Sequence, residues 1–238
     1  MNTEQTNAKA STSASEPITT IHLVRHGEVD NPTGVLYGQR NGFHLTELGR
    51  EMAAGLADAF YPSHDIRAVM TSPLERAMET AAPTAQAYGL RLSITPDLIE
   101  AGNKFEGIPI NDNRLMLLSP RFWPWYKNPC EPSWGEPYTE IVARMSRAIR
   151  HALATAEGGE AILVSHQLPI WTMRRFIEGK SLAHDPRKRE CSLCSVTSLT
   201  FVRRQLLSLD YWEPVGALLT RAHDMVPGTS LAMKKKSQ

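Results

Sequence analysis

Short runs rich in apolar residues alternate along this chain with longer segments whose apolar residues recur every three or four positions. The short runs are typical of buried strands, and the longer segments are typical of amphipathic helices. Strands that alternate with helices indicate an α/β protein, because each helix can return the chain to the next strand of a parallel sheet. We therefore predict a three-layer α/β sandwich with a mostly parallel central sheet, helices on both faces, and strands at residues 19–24, 68–71, 91–95, 161–165, 195–201 and 206–212.

Two of the predicted helices have recognisable start signals. Thr46 is a suitable N-cap for a helix over residues 46–60. Ser72 and Glu75 have the spacing of a capping box and predict a second helix over residues 72–89. Two further amphipathic segments predict helices at residues 139–159 and 167–179.

The alternation of strands and helices stops between residues 101 and 138. Proline and aromatic residues are so frequent at 121–138 that this part cannot form a regular helix or strand. A long irregular segment inside a compact domain is usually a lid or cap, so we predict a cap insertion at about 101–138. We find no internal linker and expect one domain over residues 17–226, between a disordered tail at 1–16 and a flexible tail at 227–238.

The composition argues against several classes of protein. With 26 basic and 25 acidic residues the formal net charge is +1, which gives no electrostatic basis for binding nucleic acid. No apolar run reaches the roughly 20 residues of a membrane helix, and the first residues lack the features of a secretory signal. Cys191 and Cys194 have no second ligand pair for zinc and are interpreted as ordinary thiols. We expect a cytoplasmic protein without membrane or nucleic-acid partners, and a homo-oligomer remains an open alternative.

Three predicted strands end in polar residues of related chemistry. The first ends in Val-Arg25-His26-Gly, the second leads into a segment that contains Arg76, and a later strand ends in Val-Ser-His166. If these strands are parallel neighbours, two arginines and two histidines meet at one edge of the sheet. Arginine binds anions through fixed bidentate donors, and a histidine among such donors can attack a phosphoryl group. The sequence therefore predicts a phosphate pocket in which one histidine is the nucleophile.

These motifs resemble those of the histidine phosphatase superfamily, the branch that contains cofactor-dependent phosphoglycerate mutases and many small phosphatases. The resemblance rests on LVRHGE at 23–28, LTELGR at 45–50, TSPLERA at 71–77 and VSH at 164–166, and it covers nearly all of the chain except its tails. It implies that His26 becomes phosphohistidine. It also implies that the transferring phosphoryl oxygens are held by Arg25, Arg76 and His166. Since the arginines supply the positive charge, we expect neither a metal nor another cofactor.

A leaving alkoxide also needs a proton, which a glutamate supplies in this family. The resemblance implies that this glutamate is Glu100, although the segment that follows is one residue shorter than the family pattern. Glu106 is the alternative general acid. Glu28, which follows the first motif, could share the task or orient its neighbours.

The resemblance also indicates where a phosphorylated small-molecule substrate would bind. Asn31, Tyr37 and Gln39 follow the first strand, in a loop that often contacts substrate in this family. Gln167 stands where the family usually has glycine, and it could contact substrate or cap the next helix.

Three functions remain open at this point. The first is hydrolysis of a phosphomonoester through a phosphohistidine. The second is mutase-type phosphoryl transfer, against which the segment 101–112 argues because it differs from the corresponding stretch of the mutases. The third is a non-catalytic module that binds a phosphorylated ligand.

Overall fold

The computed structural model describes residues 16–109, 114–126, 133–224 and 230. Its centre is a six-stranded sheet in the order β3-β2-β4-β1-β5-β6. The strands are β1 (Ile18–Arg25), β2 (Ile66–Thr71), β3 (Leu92–Ile94), β4 (Glu160–Ser165), β5 (Val196–Val202) and β6 (Gln205–Trp212). All six strands occur where the sequence predicts them, with ends displaced by one or two residues.

Four neighbouring strands of the sheet are parallel. β2 pairs in parallel with β3 and with β4, and β4 pairs in parallel with β1. β5 runs antiparallel to β1 and forms a hairpin with β6, so the sheet is mixed at one edge. The predicted α/β fold with a mostly parallel sheet is therefore confirmed.

Within the described residues, four α-helices lie on both faces of the sheet: α1 (Glu47–Phe60), α2 (Glu75–Ala87), α3 (Tyr138–Thr155) and α4 (Gln167–Ile177). Alternate residues of β1 point to opposite faces, as the pleat of a strand requires. Leu23 belongs to the apolar cluster that includes α3 and α4, and Val24 belongs to the cluster that includes α1 and α2. The sheet is therefore the middle one of three layers.

The predicted N-cap of α1 is confirmed, and the predicted capping box at the start of α2 is wrong. The Thr46 side chain accepts a hydrogen bond from the Gly49 amide at 2.9 Å, as an N-cap should. The capping box is not formed, since α2 begins only at Glu75. The Ser72 hydroxyl lies 2.8 Å from Nε2 of His166, and the Glu75 carboxylate accepts from the Gly42 amide at 3.1 Å. The Ser72 hydroxyl also accepts from the Leu74 amide at 3.3 Å, so it caps the turn before α2, while the Glu75 carboxylate has its partner outside the helix.

The part of the cap that the structure describes is irregular, as predicted. It contains two 3₁₀ segments, Arg114–Leu118 and Pro120–Trp125. Phe105 packs against an aromatic cluster, with ring centroids 5.0–5.9 Å from those of Phe122, Trp125 and Tyr126. Aromatic burial rather than regular hydrogen bonding therefore stabilises this region. Cap residues 110–113 and 127–132, the predicted tail at 1–15, and 225–229 and 231–238 at the other end lie outside the described residues.

The structure also bears on the predicted state of the cysteines and on the expected absence of membrane helices. Cys191 and Cys194 are buried free thiols, and burial raises their pKa to about 11 and about 12 respectively. In the described parts of the chain, no helix has the length and apolar character needed to cross a bilayer.

Candidate active site

The three polar strand ends meet at one edge of the sheet. Arg25 is opposite Ser165 in the register of β1 and β4, and Thr71 is opposite Val164 in the register of β2 and β4. The residues that directly follow these strands are therefore neighbours, at the carboxyl edge where α/β proteins place ligands.

His26 is buried in a form suited to nucleophilic attack. Its side chain is 2% exposed, and Nδ1 lies 2.8 Å from the Gly27 carbonyl. A carbonyl only accepts hydrogen bonds, so Nδ1 carries the proton and Nε2 keeps its lone pair. Burial lowers the pKa of His26 well below its usual value, and the positive charges of Arg76 and Arg25 lower it further. The imidazole is therefore neutral at physiological pH.

His166 lies beside His26, with ring centroids 5.1 Å apart. Its Nε2 is 2.8 Å from the Ser72 hydroxyl, and its buried Nδ1 has no hydrogen-bond partner among the described residues. Burial and the charge of Arg76 lower its pKa well below the usual value. If the Ser72 hydroxyl donates to Nε2, the single proton of this neutral imidazole is on Nδ1. Nδ1 can then donate a hydrogen bond to a ligand oxygen.

Arg25 is anchored by a carboxylate that the sequence motifs do not indicate. Its two terminal nitrogens donate to the Asp224 carboxylate at 2.7 and 2.8 Å, and Nη1 also donates to the Cys191 carbonyl at 2.8 Å. Its buried Nε has no partner in the described structure. Burial opposes the charge of Arg25, but the contacts with Asp224 raise its pKa overall. Asp224 therefore fixes this guanidinium in one orientation.

Arg76 is the largest side chain that is fully buried in the described structure, and it has the most unused donor capacity in the site. Its Nη2 donates to the Gly38 carbonyl at 2.6 Å, and the guanidinium carbon lies 4.5 Å from the centroid of the Tyr37 ring. Nε and Nη1 have no partner among the described residues. Buried donors are rarely left unpaired, so these two nitrogens indicate that the site binds an acceptor group.

The three candidate glutamates differ in their surroundings. Burial raises the pKa of Glu100, which borders the cavity beside His26 and accepts from the Ala101 amide at 2.8 Å. Glu106 accepts from the Asn103 amide at 3.1 Å and lies behind Gly38, outside the cavity lining. Glu28 accepts from the Thr46 hydroxyl at 2.5 Å and from the His223 amide at 2.6 Å, so both its oxygens are occupied. Of the three glutamates, only Glu100 both lines the cavity and has a raised pKa.

Arg25, His26 and Glu100 line a cavity of about 100 Å³. Arg76 and His166 are not among its lining residues, but Arg76 packs on the lining residue Tyr37 and His166 packs beside His26. Of the four predicted substrate contacts, Tyr37 and Gln167 line the cavity. Asn31 and Gln39 do not. The Asn31 amide donates to the Val35 carbonyl at 2.7 Å, and the Gln39 amide donates to the Glu100 carbonyl at 2.7 Å. These two residues organise the walls of the cavity, and Arg189, which the motifs did not indicate, is a further lining residue.

A larger groove of about 750 Å³ lies between α3, α4 and the β5–β6 hairpin. It is lined by neither of the two site histidines nor any residue of the four motifs. The smaller cavity is the candidate active site, because its lining combines the neutral imidazole of His26, the guanidinium of Arg25 with an unpaired Nε, and the raised carboxyl pKa of Glu100.

Imidazoles and guanidiniums at the carboxyl edge of a parallel sheet define a class of α/β protein that binds phosphoryl groups. The sequence comparison specifies the family. A model of the histidine phosphatase superfamily (branch 1) matches residues 21–213. The chain belongs to this superfamily, and the predicted resemblance is confirmed.

Three similar proteins illustrate the range of descriptions found among the relatives of this chain. An uncharacterized protein of Mycobacterium tuberculosis, Rv0525, is 50% identical over 196 residues, which cover 82% of this chain and 96% of the relative. A probable phosphoglycerate mutase of Yersinia enterocolitica is 31% identical over 187 residues, 74% of this chain and 83% of its own. The solved structure of a mycobacterial glucosyl-3-phosphoglycerate phosphatase is 21% identical and has a TM-score of 0.66, covering 82% of this chain and 98% of that one. At that identity the structural likeness supports the fold alone.

Proposed function

We propose that this protein is a phosphatase that hydrolyses a phosphomonoester of a small metabolite through a phosphohistidine at His26. The observation that carries the proposal is the state of His26, a buried neutral imidazole with Nδ1 held by the Gly27 carbonyl and Nε2 available. An attacking imidazole needs this tautomer and this protonation state. The unpaired donors of Arg76, together with Nε of Arg25 and Nδ1 of His166, supply contacts for the phosphoryl oxygens.

In the first chemical step Nε2 of His26 forms a bond to phosphorus while the bond from phosphorus to the ester oxygen breaks. The departing alkoxide takes the proton of Glu100, whose raised pKa favours the protonated carboxyl group. The guanidiniums of Arg25 and Arg76 stabilise the charge on the phosphoryl oxygens, and we propose that no metal is required.

In the second step the Glu100 carboxylate removes a proton from water, and the resulting hydroxide attacks the phosphohistidine. The bond between nitrogen and phosphorus breaks, inorganic phosphate leaves, and both His26 and Glu100 return to their starting protonation states. A mutase would use the same first step but would return the phosphoryl group to a bound intermediate. The sequence of the segment that follows Glu100 favours the phosphatase, since it differs from that of the mutases.

We further propose that residues 17–226 form a single domain located in the cytoplasm. The free thiols of Cys191 and Cys194 suit a reducing compartment.

The test is phosphate release from a panel of phosphomonoesters, with His26→Ala as the control and a parallel assay of 3- to 2-phosphoglycerate isomerisation. We expect release of phosphate with the wild type, an acid-labile phosphoryl adduct on quenching, and loss of both in the variant. Rapid isomerisation with little phosphate released would establish the mutase instead. Binding of phosphorylated ligands without any turnover would establish the non-catalytic module.

A further inference from the structure

Arg189 borders the same cavity as His26 and Glu100. It lies in the segment before β5, outside the family motifs. Its Nε donates to Nε2 of His184 at 2.9 Å, and its Nη1 donates to the Gln167 side-chain oxygen at 3.1 Å. These two contacts fix the plane of the guanidinium at the wall of the cavity.

Both partners of Arg189 are electrically neutral. Gln167 is an amide. Burial lowers the pKa of His184 to about 4, and its Nδ1 lies 2.6 Å from the Leu182 carbonyl, which leaves Nε2 as the acceptor for Arg189. The contacts therefore orient the positive charge without compensating it.

Arg189 lacks the carboxylate partner that Arg25 and Arg144 have. Arg25 is paired with Asp224 at 2.7 Å and Arg144 with Glu136 at 2.8 Å. No carboxylate of the described residues lies within 4.0 Å of the Arg189 nitrogens, a condition that Arg189 shares with Arg76. Burial lowers the pKa of Arg189, as expected for a charge that is removed from water. An uncompensated guanidinium at a cavity wall favours the binding of an anion.

The position of Arg189 indicates which part of the substrate this anion would belong to. Arg189 lines the cavity together with Glu100, and it is held there by Gln167 and His184, which are not partners of Arg25 or Arg76. Its guanidinium is therefore separate from the two that would hold the phosphoryl group, and it is available to the alcohol portion of the substrate.

We propose that Arg189 binds a second anionic group, a carboxylate or a second phosphate, on the alcohol portion of the phosphomonoester. This inference rests on the proposed function, because it takes His26 and Glu100 as the reacting groups. The substrate class is thus a small phosphomonoester with an additional negative charge, held at one end by Arg25 and Arg76 and at the other by Arg189.

The test uses three phosphate esters that differ only at the far end of a three-carbon chain: 3-hydroxypropyl phosphate, 3-(phosphonooxy)propanoate and propane-1,3-diyl bisphosphate. We expect the wild type to prefer at least one anionic ester over the neutral one by roughly 10- to 100-fold in kcat/KM, the scale of a charge-assisted contact. Arg189→Gln should reduce this preference at least about tenfold, mainly through KM, and Arg189→Lys should restore part of it. The preferred anionic ester identifies the second group as carboxylate or phosphate.

Arg187→Gln is the matched control. Arg187 is two residues away, is 81% exposed and pairs with Asp185, so its loss should leave the preference unchanged. The proposal is overturned if the wild type treats all three esters alike. It is also overturned if Arg189→Gln lowers kcat/KM equally for all three, which would mean that Arg189 acts only through Glu100 or through packing.

Failure of the proposed function gives a different result. In that case none of the esters is hydrolysed by any form of the protein. Equilibrium binding of the three esters to His26→Ala and to His26→Ala/Arg189→Gln then tests Arg189 without turnover. Tighter binding of an anionic ester that disappears in the double variant supports the second site, and equal binding refutes it.

Discussion

At the scale of single residues, the candidate site combines a nucleophile and an acid whose pKa values are shifted in opposite directions. Burial lowers the pKa of His26 and raises that of Glu100, so both shifts favour the uncharged form of the group. This is the pairing that phosphoryl transfer from an alkyl ester requires, since the imidazole needs a lone pair and the alkoxide needs a proton. The same burial explains why Arg25 and Arg76 act over short distances with little screening.

The role of Glu100 predicts a dependence on the leaving group. In Glu100→Gln, turnover of an alkyl phosphate should fall by about 10²- to 10⁴-fold, because the alkoxide can no longer be protonated. With p-nitrophenyl phosphate the nitrophenolate leaves readily as an anion, so the first step should survive while hydrolysis of the phosphohistidine becomes slow. Stopped-flow measurement should then show a burst of nitrophenolate equivalent to the enzyme concentration.

The pH dependence gives an independent check on Glu100. Because the protonated carboxyl is required, turnover of an alkyl phosphate should persist below the raised pKa of Glu100 and decline as the pH increases through it. Glu106→Gln is the control and should keep both the rate and this decline. If Glu106→Gln abolishes them and Glu100→Gln does not, the general acid is Glu106.

At the scale of elements, the start of α1 is packed directly against the chain that follows β1. A Cβ atom on Gly49 would lie 2.2 Å from the Glu28 carbonyl oxygen, and one on Gly27 would lie 2.8 Å from the Gly49 carbonyl oxygen. In both cases the clash would be with a backbone oxygen, which cannot move away by a change of side-chain rotamer. Gly27 is therefore needed for the close approach of α1 to the segment after His26.

We expect Gly49→Ala to destabilise the protein by about 1–3 kcal/mol, the usual cost of overpacking, and to lower activity by displacing the residues that follow His26. Urea unfolding and kcat/KM measure the two effects. Gly55→Ala in the same helix is the control for a side-chain obstacle, because its new Cβ would lie 2.9 Å from Cγ1 of Val215, and we expect it to cost less than Gly49→Ala. Equal stability of Gly49→Ala and the wild type would show that α1 can shift without cost.

The elements and the motif residues of the site could be predicted from the sequence, because each depends on a local pattern. Strand periodicity located all six strands, and the polar residues after three of them identified Arg25, His26, Arg76 and His166. Asp224 and Arg189 could not be found in this way. They belong to irregular segments far along the chain, and only the folded structure brings them to Arg25 and to the cavity. The capping box failed for a related reason, since tertiary partners occupy Ser72 and Glu75.

At the scale of the whole molecule, the amino end of the sheet contains a separate polar cluster of His22, His64 and Glu160. Two imidazole nitrogens, Nε2 of His22 and Nδ1 of His64, lie 2.6 and 2.8 Å from the same oxygen of Glu160. His22 and His26 are four residues apart, a separation of about 13 Å along an extended strand. The sequence spacing gave no reason to group these histidines, because they come together only when β1, β4 and the end of α1 pack.

This cluster predicts how stability depends on pH. Burial tends to raise the pKa of Glu160, but hydrogen bonds from His22 and His64 outweigh it and hold the pKa at about 2. Since the folded pKa is below the ordinary value of 4.5, the stabilisation is fully present above pH 4.5 and is lost as the pH falls towards 2. Glu160→Gln should therefore lower the free energy of unfolding by about 1–2 kcal/mol at pH 7, a figure reduced for solvent screening.

Urea unfolding of wild type and Glu160→Gln at a series of pH values between 7 and 3.5 measures this dependence. The difference between the two proteins should shrink as the pH drops below 4.5, because protonation removes the charge that the substitution has already removed. Glu157→Gln is the control for a nearby exposed carboxylate and should follow the wild type throughout. A difference that stays constant from pH 7 to 3.5 would mean that Glu160 contributes through packing and neutral hydrogen bonds, and that the two histidines do not hold it in its ionised form.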